Sequence, residues 1–388
     1  MTDILDRPKR RESVYVIYTH FPHYRRAVFE SLSRSEEYDF HFSYDPEGLD
    51  DTIASGEAGL RLLPLRNVRI GSLVWQRGLV PMMLKTQMDY AIFLGNPYNV
   101  STWVAAVIAR FRGVKTLFWT HGWLRKDAGL KGLLRRIFYK VPHALLVYGN
   151  RARQIGAQLG FAEDSIHVIG NSLDYEKQKA AREAVMQGAL PGQAERYGLK
   201  PNRYFLIVSR LVSSARIDLA IEALALMPQM VPLVVVGAGP CLDDLKSNAA
   251  KLGVDARFLG EIYEEEVLAG LFMDTAGVVS PGKVGLLAMH ALAYGAVVIT
   301  HSDFDQQMPE VEALSPGVTG LFFKHDDVQS LAQQMTLLIQ SDISLPAQQS
   351  RRLHAIEAIE ADYTPGAQVE KITRALRSLK EGGHVSNP

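Results

Sequence analysis

Cysteine is almost absent from this sequence, since Cys241 is the only one among 388 residues. One cysteine excludes an internal disulfide bond and a cysteine-based metal cluster, which fits a reducing compartment. The first twenty residues carry scattered charges where a secretory signal would need an apolar core. No uninterrupted apolar run approaches the roughly 18 residues that would span a bilayer. These absences predict a soluble, cytoplasmic protein.

Glycine is missing from a loop where a dinucleotide-binding protein would need it. Residues 14–18 (VYVIY) predict a buried strand, and the loop THFPHYRR follows it in place of G-x-G-x-x-G. A dehydrogenase-type cofactor site is therefore disfavoured. The loop instead offers hydrogen-bonding groups at the carboxyl end of a strand, where an open α/β sheet places ligand contacts. These groups either contact a ligand or lie at the surface: His20, His23, Tyr24 and Arg25.

Acidic residues are scarce in one segment, although 42 basic and 42 acidic residues balance over the whole chain. Between residues 61 and 140, fourteen lysines and arginines accompany only Asp89 and Asp127. This segment should attract a polyanion such as anionic lipid headgroups. Its stretch 129–140 (GLKGLLRRIFYK) fits a helix lying in a membrane interface, or a core-facing helix with a basic outer side. Nucleic acid is disfavoured, because no zinc finger, basic zipper or RNP-type motif is present.

Strands and helices alternate along both halves of the chain. In the first half, buried-type strands are predicted at residues 14–18, 38–43, 90–94, 114–119, 144–148 and 166–169. In the second half, they are predicted at residues 204–208, 231–236, 256–259, 276–279 and 296–300. With helices between them, this spacing indicates two doubly wound α/β domains with parallel sheets, and a ligand in the cleft between them.

A polar segment separates the two series. Residues 176–203 are rich in charged side chains and contain Gly188, Pro191, Gly192 and Pro201, which predicts an interdomain connection with some helix. The predicted domains are therefore residues 1–175 and residues 204–365. Residues 366–388 form a last helix and a tail.

The stretch at residues 280–295 (SPGKVGLLAMHALAYG) predicts a strand, a tight turn and a helix. The preceding apolar run ends at Ser280, a helical pattern begins near Val284, and Gly295 ends it. Free N–H groups and the helix dipole make the start of such a helix an anion site, and Lys283 adds positive charge. Any βα unit of a parallel sheet shares this pattern, so a purely structural role stays open.

Several segments resemble the retaining family-4 glycosyltransferases of the GT-B fold. They are VSRLV at 208–212, VGAGP at 236–240, residues 280–299, PE at 309–310 with GVTGL at 317–321, THG at 120–122 and IGNSLD at 169–174. Each is short, but their order and spacing are specific and cover nearly the whole chain after residue 14. The resemblance implies two Rossmann-like domains facing each other across a cleft, the first for the acceptor and the second for the donor. It also implies that the last helix crosses back to the first domain.

The resemblance further implies a nucleotide-diphosphate sugar as donor. The family's cationic pair falls on Arg210 and Ala215, so that Arg216 or Lys283 would substitute for the second cation. Its paired glutamates fall on Gly282 and His290; the histidine can hydrogen-bond a ribose, whereas glycine offers only backbone. The implied donor-binding residues are Arg210, Arg216, Gly237, Gly239, Gly282, Lys283, Gly285, His290 and Glu310.

On the same grounds, His121 would contact the donor sugar or the reacting face and serve as the catalytic residue. The implied acceptor-binding residues are His23, Tyr24, Arg25 and Asn96. No metal or other cofactor is implied, and the D-x-D sequence at residues 303–305 is interpreted as a loop feature. The basic segment would dock at the inner face of the cytoplasmic membrane, where it reaches a lipid-diphosphate-linked acceptor.

These implications predict a metal-independent, retaining hexosyltransferase of bacterial surface-polysaccharide synthesis, such as exopolysaccharide or lipopolysaccharide. Gly282 and Ala215 also permit a non-catalytic or epimerase-like GT-B protein that binds a sugar nucleotide. A third reading is a membrane-surface or nucleic-acid binder that uses the basic segment alone.

Overall fold

The computed structural model describes residues 10–47, 62–127, 129–189, 193–340 and 345–381. The chain divides into two compact units. The first comprises the residues up to Ile169 and those from Gln368 onward, and the second comprises Gly170–Ala367. A six-stranded parallel sheet with connecting helices forms the centre of each unit, which confirms the predicted α/β class.

Eight strands and five α-helices make up most of what the structure describes of the first unit. The strands are β1 (Glu12–Ile17), β2 (Tyr38–Ser43), β3 (Arg66–Ile70), β4 (Leu73–Arg77), β5 (Tyr90–Leu94), β6 (Lys115–Trp119), β7 (Ala144–Val147) and β8 (Ile166–Val168). The helices are α1 (Arg26–Ser33), α2 (Leu79–Lys85), α3 (Val100–Phe111), α4 (Gly129–Tyr139) and α5 (Asn150–Gln158).

The first sheet has the strand order β2-β1-β5-β6-β7-β8, and β3 and β4 form a separate antiparallel hairpin. Pairing begins at Glu12↔Tyr38 between β1 and β2. The chain moves to one side of β1 to form β2 and later to the other side to form β5, so the strand order reverses at β1. An open α/β sheet binds ligands at the carboxyl ends of its strands beside such a switch point.

In its described residues, the second unit has six strands and eight complete α-helices. The strands are β9 (Phe205–Val208), β10 (Leu233–Val236), β11 (Ala256–Gly260), β12 (Gly277–Ser280), β13 (Val298–His301) and β14 (Gly320–Phe323). The helices are α6 (Tyr175–Met186), α7 (Gln193–Arg196), α8 (Ile217–Ala225), α9 (Leu242–Leu252), α10 (Glu265–Asp274), α11 (Leu286–Ala293), α12 (Val328–Gln340) and α13 (Leu345–Asp362). The last helix, α14 (Pro365–Glu381), begins in the second unit, and its residues from Gln368 onward belong to the first.

The second sheet has the order β11-β10-β9-β12-β13-β14, with its own reversal at β9. Apolar side chains from its strands and from α8 and α12 form one buried core. In the first unit, Ile372 and Leu376 of α14 join the core formed by β1, β5 and β6. Both sheets are covered by helices, which explains why their strands read as continuous apolar runs rather than alternating ones.

Residues 176–203, predicted as an interdomain connection, contain α6 and α7 and lie in the second unit. Asp174 caps α6 by accepting a hydrogen bond from the Lys177 amide at 3.3 Å. Arg182 donates to the Ala293 carbonyl at 2.5 Å, at the C-terminal end of α11. The polar sequence therefore includes a helix that contacts its neighbours through hydrogen bonds as well as apolar packing. Pro191 and Gly192 of the predicted connection, Arg61 of the basic segment and the tail from residue 382 lie outside the described residues.

None of the helices in the described ranges is both long and apolar enough to cross a bilayer.

Candidate functional site

The turn after β12 is held by a close backbone contact. The Gly282 amide donates to the Ala215 carbonyl at 3.2 Å. A Cβ atom at Gly282 would lie 2.3 Å from the carbonyl oxygen of Ser214, a distance that real Cβ atoms do not adopt. The two positions that depart from the family pattern, Ala215 and Gly282, are therefore in direct contact with each other. A side chain at residue 282 would have to push the two segments apart.

Gln307 fixes the rest of this turn. Its side-chain carbonyl accepts from the Val284 amide at 2.8 Å, and its side-chain amide donates to Thr300 Oγ1 at 2.9 Å and to the His301 carbonyl at 3.0 Å. Thr300 Oγ1 in turn donates to the Ser280 carbonyl at 2.8 Å. Gln307 and Thr300 are fully buried. The network ties the turn to β13, so the start of α11 is held in place before any ligand binds.

The cations near the carboxyl ends of the strands in the second sheet differ in how far their charge is already neutralised. The Arg216 side chain binds Asp218 at 3.2 Å and also binds Asp326. Lys283 and Arg210 are exposed, and neither forms an ion pair with any residue that the structure describes. Their positive charge is therefore available to an anion, whereas that of Arg216 is compensated by two carboxylates.

The predicted glycines Gly237 and Gly239 act through close backbone packing. A Cβ at Gly237 would lie 2.0 Å from the Ser209 carbonyl oxygen, and one at Gly239 would lie 2.3 Å from that of Leu211. Gly237 has a φ of 133°, and its amide donates to the Gly260 carbonyl at 2.7 Å. These glycines position the loop that carries Arg210, and the Gly237 amide is used within the protein. Gly285, in contrast, is not closely packed: the atom nearest to a Cβ at this position would be Met308 Cγ, at 3.8 Å.

His290 lies among the helices of the second unit. Its Nδ1 atom is 3.2 Å from the side-chain nitrogen of Gln178 and 3.9 Å from Glu265 Oε1. Its ring stacks on Phe272 with centroids 6.0 Å apart. Burial lowers the pKa of His290, and the Glu265 carboxylate opposes that shift. The imidazole is therefore neutral near pH 7, in the form that can both donate and accept a hydrogen bond.

Glu310 joins two of the sequence segments that carry the family resemblance. It is 4% exposed, and its Oε1 accepts a hydrogen bond from the Asn171 side chain at 2.7 Å. Asn171 belongs to the IGNSLD segment that follows β8. The two segments therefore contact each other in the second unit.

Two histidines near the carboxyl ends of β13 and β14, His301 and His325, were not among the predicted site residues. The rings of His301 and His325 lie 4.4 Å apart, and His325 Nδ1 is 3.6 Å from Asp326 and 4.0 Å from Asp303. Burial and then the His325 ring lower the pKa of His301 to about 4, and Lys283 adds to this shift. Asp303 caps the turn after β13 by accepting from the Asp305 amide at 3.0 Å, which gives the D-x-D sequence a local structural role.

In the first unit, Arg25 is buried in a cage of aromatic rings. It is 4% exposed, and its Cζ atom lies within 5.0–5.8 Å of four ring centroids. It donates a hydrogen bond to the Tyr148 hydroxyl, forms no ion pair among the described residues, and leaves Nη1 without a hydrogen-bond partner. Cation–π attraction replaces the usual carboxylate partner here. The rings come from the ends of three strands and one turn: Tyr18, Tyr24, Trp119 and Tyr148.

His121 reaches the same cluster from the end of β6. Its ring packs edge-on against Tyr148, with centroids 4.9 Å apart, and part of it stays accessible to solvent. Partial removal from water and the Arg25 charge lower the pKa of His121, so the ring is neutral near pH 7. The next residue, Gly122, has a φ of 65°, and a Cβ there would lie 3.0 Å from Val147 Cγ1. Glycine is therefore required directly after the histidine.

The structure brings only some of the predicted acceptor residues together. Tyr24 contacts Arg25, and the exposed His23 packs edge-on against Tyr24 at 5.8 Å. Asn96 is exposed, and its side-chain oxygen accepts from the Tyr98 amide at 3.0 Å within its own turn. No described contact links Asn96 to the Arg25 cluster. Arg25, Tyr24 and His121 thus form one group around Tyr148, and Asn96 stands apart.

Residues 193–355, all in the second unit, match the sequence profile of the family described as glycosyl transferases group 1. No curated protein sequence matches the chain. Among solved structures, the Anabaena protein HepE in complex with UDP has a TM-score of 0.70 at 15% identity, over 95% of this chain and 100% of that one. A glycosyltransferase from Rickettsia africae has a TM-score of 0.72 at 15% identity, over 96% and 100%. The lipopolysaccharide outer core galactosyltransferase WaaB has a TM-score of 0.70 at 12% identity, over 95% and 99%.

At these identities, the structural likeness establishes the fold, which is the predicted GT-B class with two parallel-sheet α/β domains. The profile match in the second unit supports a glycosyltransferase.

Replacing Gly282 by glutamate, the residue that the family pattern would have there, should disrupt the donor turn. Because the new Cβ meets the Ser214 carbonyl, we expect a strain of about 1–3 kcal/mol and a lower unfolding temperature in differential scanning calorimetry. Gly366→Ala is the matched control, since its Cβ would have no atom closer than 3.9 Å. Unchanged melting of the Gly282→Glu variant would show that the turn is not held as described.

Proposed function

We propose that this protein is a retaining glycosyltransferase that moves a sugar from a nucleotide-diphosphate sugar to a glycan or lipid-linked acceptor in bacterial polysaccharide synthesis. The observation that carries this proposal is the pair of uncompensated cations, Lys283 and Arg210, on loops at the carboxyl edge of the second sheet. Lys283 lies in the turn three residues before the first residue of α11, Leu286, and the helix dipole at that end also favours an anion. A diphosphate needs cationic partners of this kind.

The neighbouring structures suggest which donors to try first. HepE has been solved with UDP and also with UDP-glucose. WaaB is described as a lipopolysaccharide outer core galactosyltransferase. Uridine diphosphate hexoses are therefore the first candidate donors for this protein, with GDP- and dTDP-sugars as alternatives. We place the reaction in the cytoplasm, where nucleotide sugars are made available to such enzymes.

Retaining transfer requires the acceptor hydroxyl and the leaving diphosphate on the same side of the sugar. The electron pair of the bond between the anomeric carbon and the β-phosphate oxygen leaves with the nucleoside diphosphate. The acceptor oxygen forms the new glycosidic bond, and its proton passes to the departing diphosphate. Lys283, Arg210 and the start of α11 would stabilise the charge on the leaving group without reorganising, because the Gln307 network already holds the turn. We assign no metal ion to this step.

A second candidate is a protein that binds a sugar nucleotide without transferring the sugar to an acceptor. The specific observation in its favour is that backbone atoms fill the space beside Gly282, where the family pattern would have a glutamate side chain. Such a protein would bind the nucleotide through the same cations. It would release no nucleoside diphosphate in the presence of an acceptor, which separates it from a transferase.

Removing the Lys283 charge should weaken nucleotide binding. We expect Lys283→Ala or Arg210→Ala to lower the affinity for UDP by about tenfold or more, since each would remove a charge-assisted contact. Arg216→Gln should change it by less than about threefold, because carboxylates already pair with that side chain. Isothermal titration calorimetry with UDP, GDP and dTDP measures both effects. If Arg216→Gln proved as damaging as Lys283→Ala, the assignment of the free cations would be wrong.

His121→Ala should affect turnover more than binding. Because His121 would contact the reacting face rather than the nucleotide, we expect kcat to fall about 100-fold with an unchanged UDP affinity. The measurement is nucleoside diphosphate release from a panel of donors with a lipid-linked or glycan acceptor. His354→Ala is the control, since His354 is an exposed residue on α13. Wild-type rates in the His121→Ala variant would remove this residue from the site.

We also propose that α4 docks on an anionic membrane surface. Its apolar residues at helical spacing face outward, with side chains 45–85% exposed: Leu130, Leu133, Leu134 and Ile137. The buried side of the helix is formed by other residues, chiefly Phe138 and Tyr139. An outward apolar stripe flanked by cations is the pattern of an interfacial helix, and it does not fit the core-facing alternative. Docking would bring the first unit to a lipid-linked acceptor.

Vesicle sedimentation tests this surface. The protein should bind phosphatidylglycerol vesicles, and Lys131→Gln with Arg136→Gln should weaken that binding by about 10–30-fold. Arg135 is a poorer choice, because Asp127 pairs with it. The matched control is Lys246→Gln with Lys251→Gln, two exposed cations on α9. Equal loss in both double variants, or no binding by the wild type, would contradict docking through α4.

A further inference from the structure

One cavity of the second unit lies away from the candidate donor turn. It has a volume of about 510 Å³. Its lining includes Arg203 and Ala276, which precede β9 and β12, and Val297, which precedes β13. The cavity therefore opens at the amino ends of the strands, whereas Arg210 and Lys283 lie at the carboxyl ends. Nothing in the proposed transfer reaction uses it.

Among the residues that the structure describes, the charged side chains that line this cavity are all arginines. They are Arg203 from the loop before β9, and Arg351 and Arg352 from α13. None of the three forms an ion pair with a residue in the described ranges, and no described carboxylate lines the cavity. The uncharged polar lining consists of amides: Asn202, Gln229, Gln340 and Gln348.

Arg352 is held in place rather than free to turn away. Its guanidinium donates to the Met273 carbonyl at 3.0 Å. Its side-chain stem crosses Gly295, where a Cβ would lie 2.1 Å from Arg352 Cγ. Burial lowers the pKa of Arg352, Asp274 opposes this shift, and the neighbouring Arg182 adds to it. Asp274 lies near Arg352 without forming an ion pair with it, so arginine charges crowded at this edge, none of them in an ion pair with a described carboxylate, favour an anion in the space between them.

The rest of the lining is apolar. Phe272, Leu338 and Ile339 contribute hydrocarbon surface beside the guanidinium groups. A ligand that has both an anionic group and a less polar body would therefore match both parts of the wall. The volume lies in the range of small-molecule sites, which is about 300–1,000 Å³. Planar guanidinium groups pair with phosphate through two parallel hydrogen bonds, which makes phosphate the best-matched anion.

We propose that this cavity is a second ligand site, which binds a small phosphorylated molecule through Arg203, Arg351 and Arg352. The site is separate from the donor turn and does not depend on the proposed transfer activity. Helix α11 runs from the donor turn to Gly295 at the cavity wall, so an occupant would contact the far end of the helix that begins at the diphosphate site.

Arginine-selective modification of the wild-type protein tests the site without altering its fold. The protein is treated with phenylglyoxal with and without inorganic pyrophosphate, and modified peptides are quantified by mass spectrometry. We expect pyrophosphate to reduce modification of Arg203 and Arg351 at least about fivefold, while Arg34, which is 78% exposed, reacts equally in both. Equal reaction of Arg203 and Arg351 with and without pyrophosphate would overturn the proposal.

Calorimetry with inorganic pyrophosphate separates the two sites. The wild type should bind two equivalents, Arg203→Gln with Arg351→Gln should lose one, and Lys283→Ala should lose the other. If the wild type bound only one equivalent of pyrophosphate, and Lys283→Ala abolished that binding, the proposal of a second site would be overturned. The assignment of the donor site would stand. Asp342, which lies outside the described residues, follows closely in sequence after Gln340. If the Asp342→Asn variant bound pyrophosphate at the arginines and the wild type did not, the anion for this cavity would be the chain's own carboxylate. That result would also overturn the proposal.

Discussion

The contact between Gly282 and the segment at Ser214 and Ala215 is the constraint on which the carboxyl edge of the second sheet depends. Two backbone segments approach so closely that no side chain fits between them, and the Gln307 network then ties the turn to β13. Rigidity there has a chemical use. A site that must stabilise charge on a departing group works best when its dipoles and cations are already in position, because no energy is then needed to arrange them during the reaction.

The chain uses its arginines in three physically different ways. Arg216 is neutralised by carboxylates, Arg25 is buried against aromatic rings, and Arg203 lies in a cavity wall with no acidic partner in the described ranges. A guanidinium in the first setting stabilises the fold, and its charge has little influence beyond its partners. In the other two settings the charge is not cancelled, so it acts on whatever comes close. All three residues are arginines in the sequence, and only their surroundings in the folded protein distinguish their roles.

Regular elements with uniform burial could be predicted closely. The strands at Tyr38–Ser43 and Tyr90–Leu94 have the predicted bounds, because turn residues flank clear apolar patterns. The hairpin of β3 and β4 was not predicted, since its residues are largely exposed and carry no continuous apolar run. The start of α11 is two residues later than Val284, because the Gln307 side chain holds the Val284 amide in the turn.

Site residues were harder to predict than elements. Lys283 stands out in the sequence, because it lies in a turn before a helix. The compensation of Arg216 by Asp326 could not be foreseen, since these residues are 110 positions apart and meet only in the folded unit. The Arg25 cage is likewise assembled from the ends of separate strands. The predicted interdomain connection at residues 176–203 was based on polar composition, which does not distinguish a linker from a helix that packs by hydrogen bonds.

Helix α14 has a consequence for how the molecule can be divided. It starts with residues of the second unit, yet its Ile372, Ala375 and Leu376 are fully buried in the core that β1, β5 and β6 build. A fragment that ends after β8 would lack these three side chains and expose the apolar surface that they cover. Cutting the chain once, between the two units, would therefore yield an incomplete first half. Producing that half alone would require supplying the last helix as a separate peptide or fusing it to the fragment.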